Sequence, residues 1–262
     1  MFTPTYVDPI EERLVYFNPI YNRYKYEWMQ PHQLRGALKD MPLALVTLGT
    51  LEWHGHHNPL GLDCLKAHGL MLETARKLGG GVVLPPNYDL GLHGASMEYG
   101  ADYFGSIKTS YNTAMSVAND YLANLERVGF KAVILYGGHA PSGRVAKVAR
   151  DNYKTRMAVW AGGEVDLAAT DYTIDHAGVM ETSMMMAVAP DSVDMSRAEE
   201  TNQDRLYDDL LEGCGQDARE ATLAKGQAWV NAISDELAQL GRDLLKQQAG
   251  APTRVKYVGA VG

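Results

Sequence analysis

Leu43-Ala44-Leu45-Val46-Thr47-Leu48-Gly49-Thr50-Leu51-Glu52-Trp53-His54-Gly55-His56-His57-Asn58-Pro59-Leu60-Gly61-Leu62-Asp63 begins as a short apolar run and ends as a dense set of imidazoles and carboxylates. Leu43–Leu48, stopped by Gly49, predicts a buried strand. Asp63–Leu78 then carries Leu65, Leu70, Met71, Leu72, Ala75 and Leu78 and stops at Gly79-Gly80-Gly81, which predicts a helix. Val82–Leu84, closed by Pro85-Pro86, predicts a second strand, and residues 87–108 a long glycine-containing loop of the kind that often carries function. Further along, Thr109–Val128 reads as a helix ending at Gly129, Lys131–Tyr136 as a third strand and Ser142–Arg156 as a helix. Met157–Trp160 reads as a fourth strand, and residues 228–247 as a C-terminal helix. Alternating strands and helices predict an α/β fold, a three-layer α/β/α sandwich with a mainly parallel sheet. In such sheets ligands bind at the carboxyl ends of the strands. The polar clusters begin there: Glu52 after the first strand, His139 after the third, Asp166 to His176 after the fourth.

The chain's 262 residues suffice for a single domain, expected to span 1–262. With 46% apolar and 21% charged residues it falls among soluble globular proteins. A net charge of −8 argues against a general nucleic-acid binder, which needs a basic face to neutralise phosphates. No apolar run approaches the ~20 residues that span a bilayer. Met1–Pro4 has neither the basic nor the apolar region of a secretory signal, so the expectation is a cytoplasmic protein with no membrane partner. Cys64 and Cys214 form no CxxC motif and are expected to be reduced. Residues 1–30 are an aromatic-rich N-terminal arm (Tyr6, Tyr16, Phe17, Tyr21, Tyr24, Tyr26 and Trp28) that packs on its own domain or on another subunit.

Three clusters carry chemistry. The first holds three histidines and two carboxylates between Glu52 and Asp63, in a loop turned by Gly55, Pro59 and Gly61. Imidazole and carboxylate are ligands for zinc, manganese and iron, and this density after a buried strand points to metal rather than to a solvated loop. The second is Gly137-Gly138-His139-Ala140-Pro141-Ser142-Gly143-Arg144. Gly138 and Gly143 have the spacing of a phosphate loop, but Arg144-Val145 stand where that motif needs Lys and Ser/Thr. His139 as a metal ligand accounts for the segment better. The third is Asp175-His176-Ala177-Gly178-Val179-Met180-Glu181-Thr182-Ser183, read either as a His/Glu acid–base pair or as a helix start capped by Asp175.

Together these clusters resemble the creatininase (creatinine amidohydrolase) family. Gly49 to Asp63 resembles its motif G-[ST]-x-E-x-H-G-x-H-x-P-x-x-x-D, Gly138-His139 its second motif, and His176 to Ser183 its H-A-G-x-x-E-T-S segment. Gly105-Ser106-Ile107 is similar to a fourth short segment, and the likeness runs from about residue 40 to about 195. The resemblance implies a creatininase-like fold and two divalent metal ions, zinc and/or manganese, with iron an option. It implies Glu52, His54 and Asp63 as ligands, with Asp63 bridging, Glu52 and His139 on one ion and His54 on the other. His176 becomes the catalytic histidine. The family's acidic ligand two residues after the loop histidine is replaced here by Pro141, so Glu181 is the expected substitute. Ala140 stands where creatininase has an aromatic residue, and its substrate-enclosing tryptophans have no obvious equivalents: Tyr172 stands four residues before His176, and Trp160 is elsewhere. The implied activity is hydrolysis of a C–N bond in a small cyclic amide or related compound through a hydroxide held between two metals, in a homo-oligomer, a hexamer. The alternatives are a formamide or short-peptide hydrolase, a metal-dependent isomerase or lyase, and a metal-binding assembly subunit.

Overall fold

A computed structural model describes residues 18–88, 105–107, 109–168, 175–203 and 217–248. The strands are β1 Leu43–Leu48, β2 Val82–Val83, β3 Ala132–Gly137 and β4 Ala158–Gly162. The α-helices among the described residues are α1 Pro31–Asp40, α2 Leu62–Leu78, α3 Tyr111–Val128, α4 Ala140–Asn152, α5 Val179–Val188, α6 Ala198–Gln203 and α7 Leu223–Gln248. The strands form a parallel sheet in the order β2-β1-β3-β4. Leu43 lies opposite Ala132 and Leu48 opposite Gly137, and Ala132 in turn lies opposite Ala158.

The two-residue period of a strand splits the core into two layers. Leu43, Leu45, Ile134 and Tyr136 pack against Leu70 and Met71 of α2, Met184 of α5 and Ile233 of α7. Ala44, Val46, Val133 and Leu135 pack against Ala118 and Leu122 of α3 and Val145 and Ala149 of α4. Helices cover both faces, which is why β1 and β3 are buried along their whole length and nearly all apolar rather than alternating. The expected three-layer arrangement is the one observed.

Element ends follow local chemistry. Ser110 starts α3 by accepting the Thr113 N–H at 3.2 Å, two residues after the expected Thr109 start. Gly79, with φ +72°, ends α2. Helix α4 departs from expectation: it spans Ala140–Asn152, not Ser142–Arg156. Pro141 sits in its first turn, where the missing N–H is not needed, so the helix starts before the proline rather than after it. Helix α7 begins at Leu223 rather than at 228. Tyr21 and Tyr24 of the aromatic arm are buried in the α2–α7 layer, and Tyr21 Oη donates to Glu73 Oε2 at 2.8 Å. This part of the arm therefore packs on its own chain. Residues 1–17, 89–104, Tyr172 and Cys214 lie outside the described residues. No helix among the described residues is long and apolar enough to cross a membrane.

The chain leaves β1 for β2 on one side and later returns to place β3 on the other. The loops after β1 and β3 therefore diverge at their carboxyl ends, which opens a crevice at this point of the sheet.

Candidate metal centre

Glu52 and His54 leave β1 into that crevice, and Asp63 sits in the first turn of α2. His139 follows β3 and immediately precedes α4. What joins them is the close approach of Gly138 to α2. A Cβ on Gly138 would meet the Asp63 carbonyl oxygen at 2.2 Å and Ala67 Cβ at 2.7 Å. Only glycine lets β3 deliver His139 onto Asp63.

Two buried triads result, Glu52–Asp63–His139 and His54–Asp63–Glu181, and the ligand atoms of each lie within 4.8 Å of one another. Asp63 Oδ1 is 3.2 Å from His54 Nε2, and Asp63 Oδ2 is 3.2 Å from His139 Nδ1. His139 Nδ1 is also 3.3 Å from Glu52 Oε2, and His54 Nε2 is 3.6 Å from Glu181 Oε2. Two ligand atoms each ~2.1 Å from one ion, at tetrahedral or octahedral angles, lie ~3.0–3.4 Å apart. Three of these four separations fall in that range, and the His54–Glu181 distance of 3.6 Å lies just outside it. Both Asp63 carboxylate oxygens and His54 Nε2 are buried and make no hydrogen bond of ordinary geometry, an expensive arrangement for polar atoms that a cation would satisfy. The residues present therefore fit a pair of divalent ions.

Each imidazole is set by its other nitrogen. His54 Nδ1 is 3.0 Å from the Glu52 carbonyl oxygen and must donate to it, which turns the Nε2 lone pair toward Asp63 and Glu181. His176 Nε2 is 2.9 Å from the Trp53 carbonyl oxygen, so the proton sits on Nε2 and Nδ1 faces Glu52 Oε2 at 4.0 Å. The His54 and His176 rings lie 4.4 Å apart. Among the six expected site residues, His176 keeps the most exposed side chain, at 15%.

Electrostatics favour added positive charge. Burial opposes protonation of His54, yet Asp63, Glu181 and Glu52 outweigh it and raise its pKa to about 10. His139, likewise buried, is raised to about 9 by Glu52 and Asp63. Burial also works against ionisation of Asp63, but His54 and His139 hold it well below the ordinary carboxylate range. For His176 burial dominates, assisted by His54, and its pKa is lowered.

The family profile of creatininase (creatinine amidohydrolase) matches residues 27–240. The chain belongs to the creatininase family. A creatinine amidohydrolase of Pseudomonas putida is 27% identical over 189 residues, 63% of this chain and 71% of that protein. A solved manganese creatininase superposes with a TM-score of 0.69 at 20% identity, covering 84% of this chain and 98% of its own. A mutant creatininase of Zn-Zn type gives 0.68 at 21% identity, covering 84% of this chain and 97% of its own.

For this creatininase-family hydrolase, all six site residues expected from sequence meet in one crevice. The other two histidines of the first cluster do not reach it. His57 Nε2 is 3.0 Å from Thr182 Oγ1, and burial lowers its pKa to about 4; it ties the loop to α5. His56 lies edge-on to Trp53. The expected polar cluster after β4 is only partly realised: Asp166 pairs with Lys147 and accepts the Gly163 N–H instead. Asp175 Oδ2 accepts the Met180 and Glu181 N–H groups, so the capping reading of that segment holds, and Glu181 Oε2 lies 3.6 Å from His54 Nε2.

Two residues of the site were not anticipated. Lys66 and Glu164 are buried, with Lys66 Nζ 2.7 Å from Glu181 Oε1 and 3.2 Å from Glu164 Oε1. The signal was legible after the fact: Lys66 is a lone lysine among apolar residues of α2, three positions after Asp63 and so on the same helix face. Glu164 carried no such signal, because it follows β4 at an unremarkable glycine turn.

Proposed function

We propose that this chain hydrolyses a C–N bond in a small cyclic amide or a related compound, using two divalent ions of zinc or manganese. Glu52, Asp63 and His139 would hold one, and His54, Asp63 and Glu181 the other, with Asp63 shared. The single observation that carries this reading is the pair of buried triads joined at Asp63. When bound, the ions supply Lewis acidity, lowering the pKa of water enough to make a nucleophile near neutral pH and stabilising charge on the substrate oxygen. His176 carries the proton. Burial lowers its pKa, its Nε2–H is anchored on Trp53, and its Nδ1 faces the site with some exposure. Nδ1 takes a proton as water adds to the carbonyl carbon. It returns that proton to the nitrogen as the C–N bond breaks, since an unprotonated amine is a poor leaving group. One water is consumed and no redox change occurs.

Ala140, exposed at the head of α4, puts no aromatic ring beside His139. That favours, as a second reading, a formamide or short peptide over a flat ring held between aromatics. The test is to load the protein with zinc or manganese and assay small cyclic amides, formamides and short peptides for amine release. Cleavage of one class names the substrate group. Turnover only of a compound lacking any C–N bond would overturn the amidohydrolase reading in favour of an isomerase or lyase.

A further inference from the structure

Glu181 is held at three points. Asp175 Oδ2 accepts its backbone N–H at 3.1 Å, Lys66 Nζ donates to Oε1 at 2.7 Å, and the Ala177 N–H donates to Oε2 at 2.8 Å. Ala177 is buried and, among the described residues, the one non-glycine residue with positive φ, at +57°. Strain of this kind persists only where the surroundings impose it. Here it aims an N–H at the Glu181 oxygen that faces His54. Lys66 takes the other oxygen.

Lys66 is itself unusual. It is 1% exposed, between half-buried Leu65 and buried Ala67 in α2. A buried ammonium is retained only when paired, and here it is paired twice, with Glu181 and Glu164. Among the described residues, the buried carboxylates Glu52, Asp63, Glu164, Asp175 and Glu181 lie near the site, and Lys66 is the buried lysine that pairs with two of them.

We propose that Lys66 is a positioning residue for the ion held by His54, Asp63 and Glu181: it fixes Glu181 so that one oxygen alone is presented to that ion. Glu164 is the partner that keeps the ammonium in place. The proposal rests on Glu181 being a ligand, as in the proposed function. Hydrogen-bonded partners of metal ligands typically govern affinity by about 10- to 100-fold.

The experiment compares full-length wild type with Lys66→Met/Glu164→Gln, which removes the Lys66–Glu164 pair together. Bound zinc is counted by elemental analysis at graded, chelator-buffered free zinc, and unfolding in excess chelator confirms that the variant folds. The expected result is a loss of about 10- to 100-fold for one ion, with the ion of Glu52, Asp63 and His139 unchanged. Lys66→Gln/Glu164→Gln, which keeps an N–H donor for Glu181, should retain most of the affinity, and it carries the comparison with wild type if the Met variant does not fold. Wild-type or tighter affinity in the Met variant, or a full loss in the Gln variant, would overturn the positioning role. Glu181→Gln is run in parallel. If it leaves both ions untouched, the ligand assignment fails and the Lys66 role falls with it. If it weakens one ion while the Met variant does not, only the Lys66 role fails.

Discussion

Asp63→Asn is the sharpest test of a shared ligand. Asparagine preserves shape but removes the charge and one of two equivalent oxygens. In the structure each Asp63 oxygen reaches a different histidine, Oδ1 to His54 and Oδ2 to His139, both at 3.2 Å. The substitution therefore damages both triads at once. A four-ligand zinc site is worth roughly 10–16 kcal/mol, so one ligand contributes on the order of 3–4 kcal/mol, or ~10²–10³-fold in affinity. Asp63→Asn should weaken both ions by that order, whereas His54→Ala should weaken one ion and spare the other. The assay is bound zinc or manganese per chain after dialysis against buffered free metal, with thermal unfolding in chelator as a folding control. If Asp63→Asn keeps two ions at wild-type affinity, or loses only one, Asp63 is not shared and the two-triad reading is wrong.

His176→Ala should lower turnover by about 10²–10⁴-fold while metal content stays the same; a variant emptied of metal would make His176 a ligand rather than a proton carrier. Gly138→Ala should destabilise the protein by about 1–3 kcal/mol and weaken metal binding, because the added methyl cannot fit against the Asp63 carbonyl; unfolding midpoint and bound metal check this, and wild-type values for both would refute it. His68, buried and positioned near Lys25, has its pKa lowered to about 3, well under its ordinary 6.5. Below pH 6.5 the unfolded chain takes up a proton that folded His68 refuses, so its contribution to stability is complete above pH 6.5 and is lost toward pH 3, at about 1.4 kcal/mol per pH unit. His68→Gln should flatten the acid limb of stability between pH 6.5 and 5 by about 2 kcal/mol in chemical denaturation, and an unchanged slope would contradict it.

Local patterns were enough for the sheet and most of its helices. Leu43–Leu48 and Ala132–Gly137 are nearly all apolar, a sequence suited to strands covered on both faces, and glycines mark where α2 and α3 stop. The motif residues after β1 and β3 could be named for the same reason: imidazoles and carboxylates crowd into loops where a parallel sheet places its ligands. Sequence could not say which histidine of the first cluster faces inward. That choice depends on Thr182 of α5 engaging His57, a contact set by packing between distant segments. Nor could it give Asp166 its true partner, Lys147, because that depends on how the turn after β4 sits against α4. Residue types with metal-binding chemistry are thus written in the chain. Lys66 shows the limit: a buried lysine is chemically inert or decisive according to what surrounds it, and its partners Glu164 and Glu181 come from segments about a hundred residues away that only the folded sheet brings within hydrogen-bond reach.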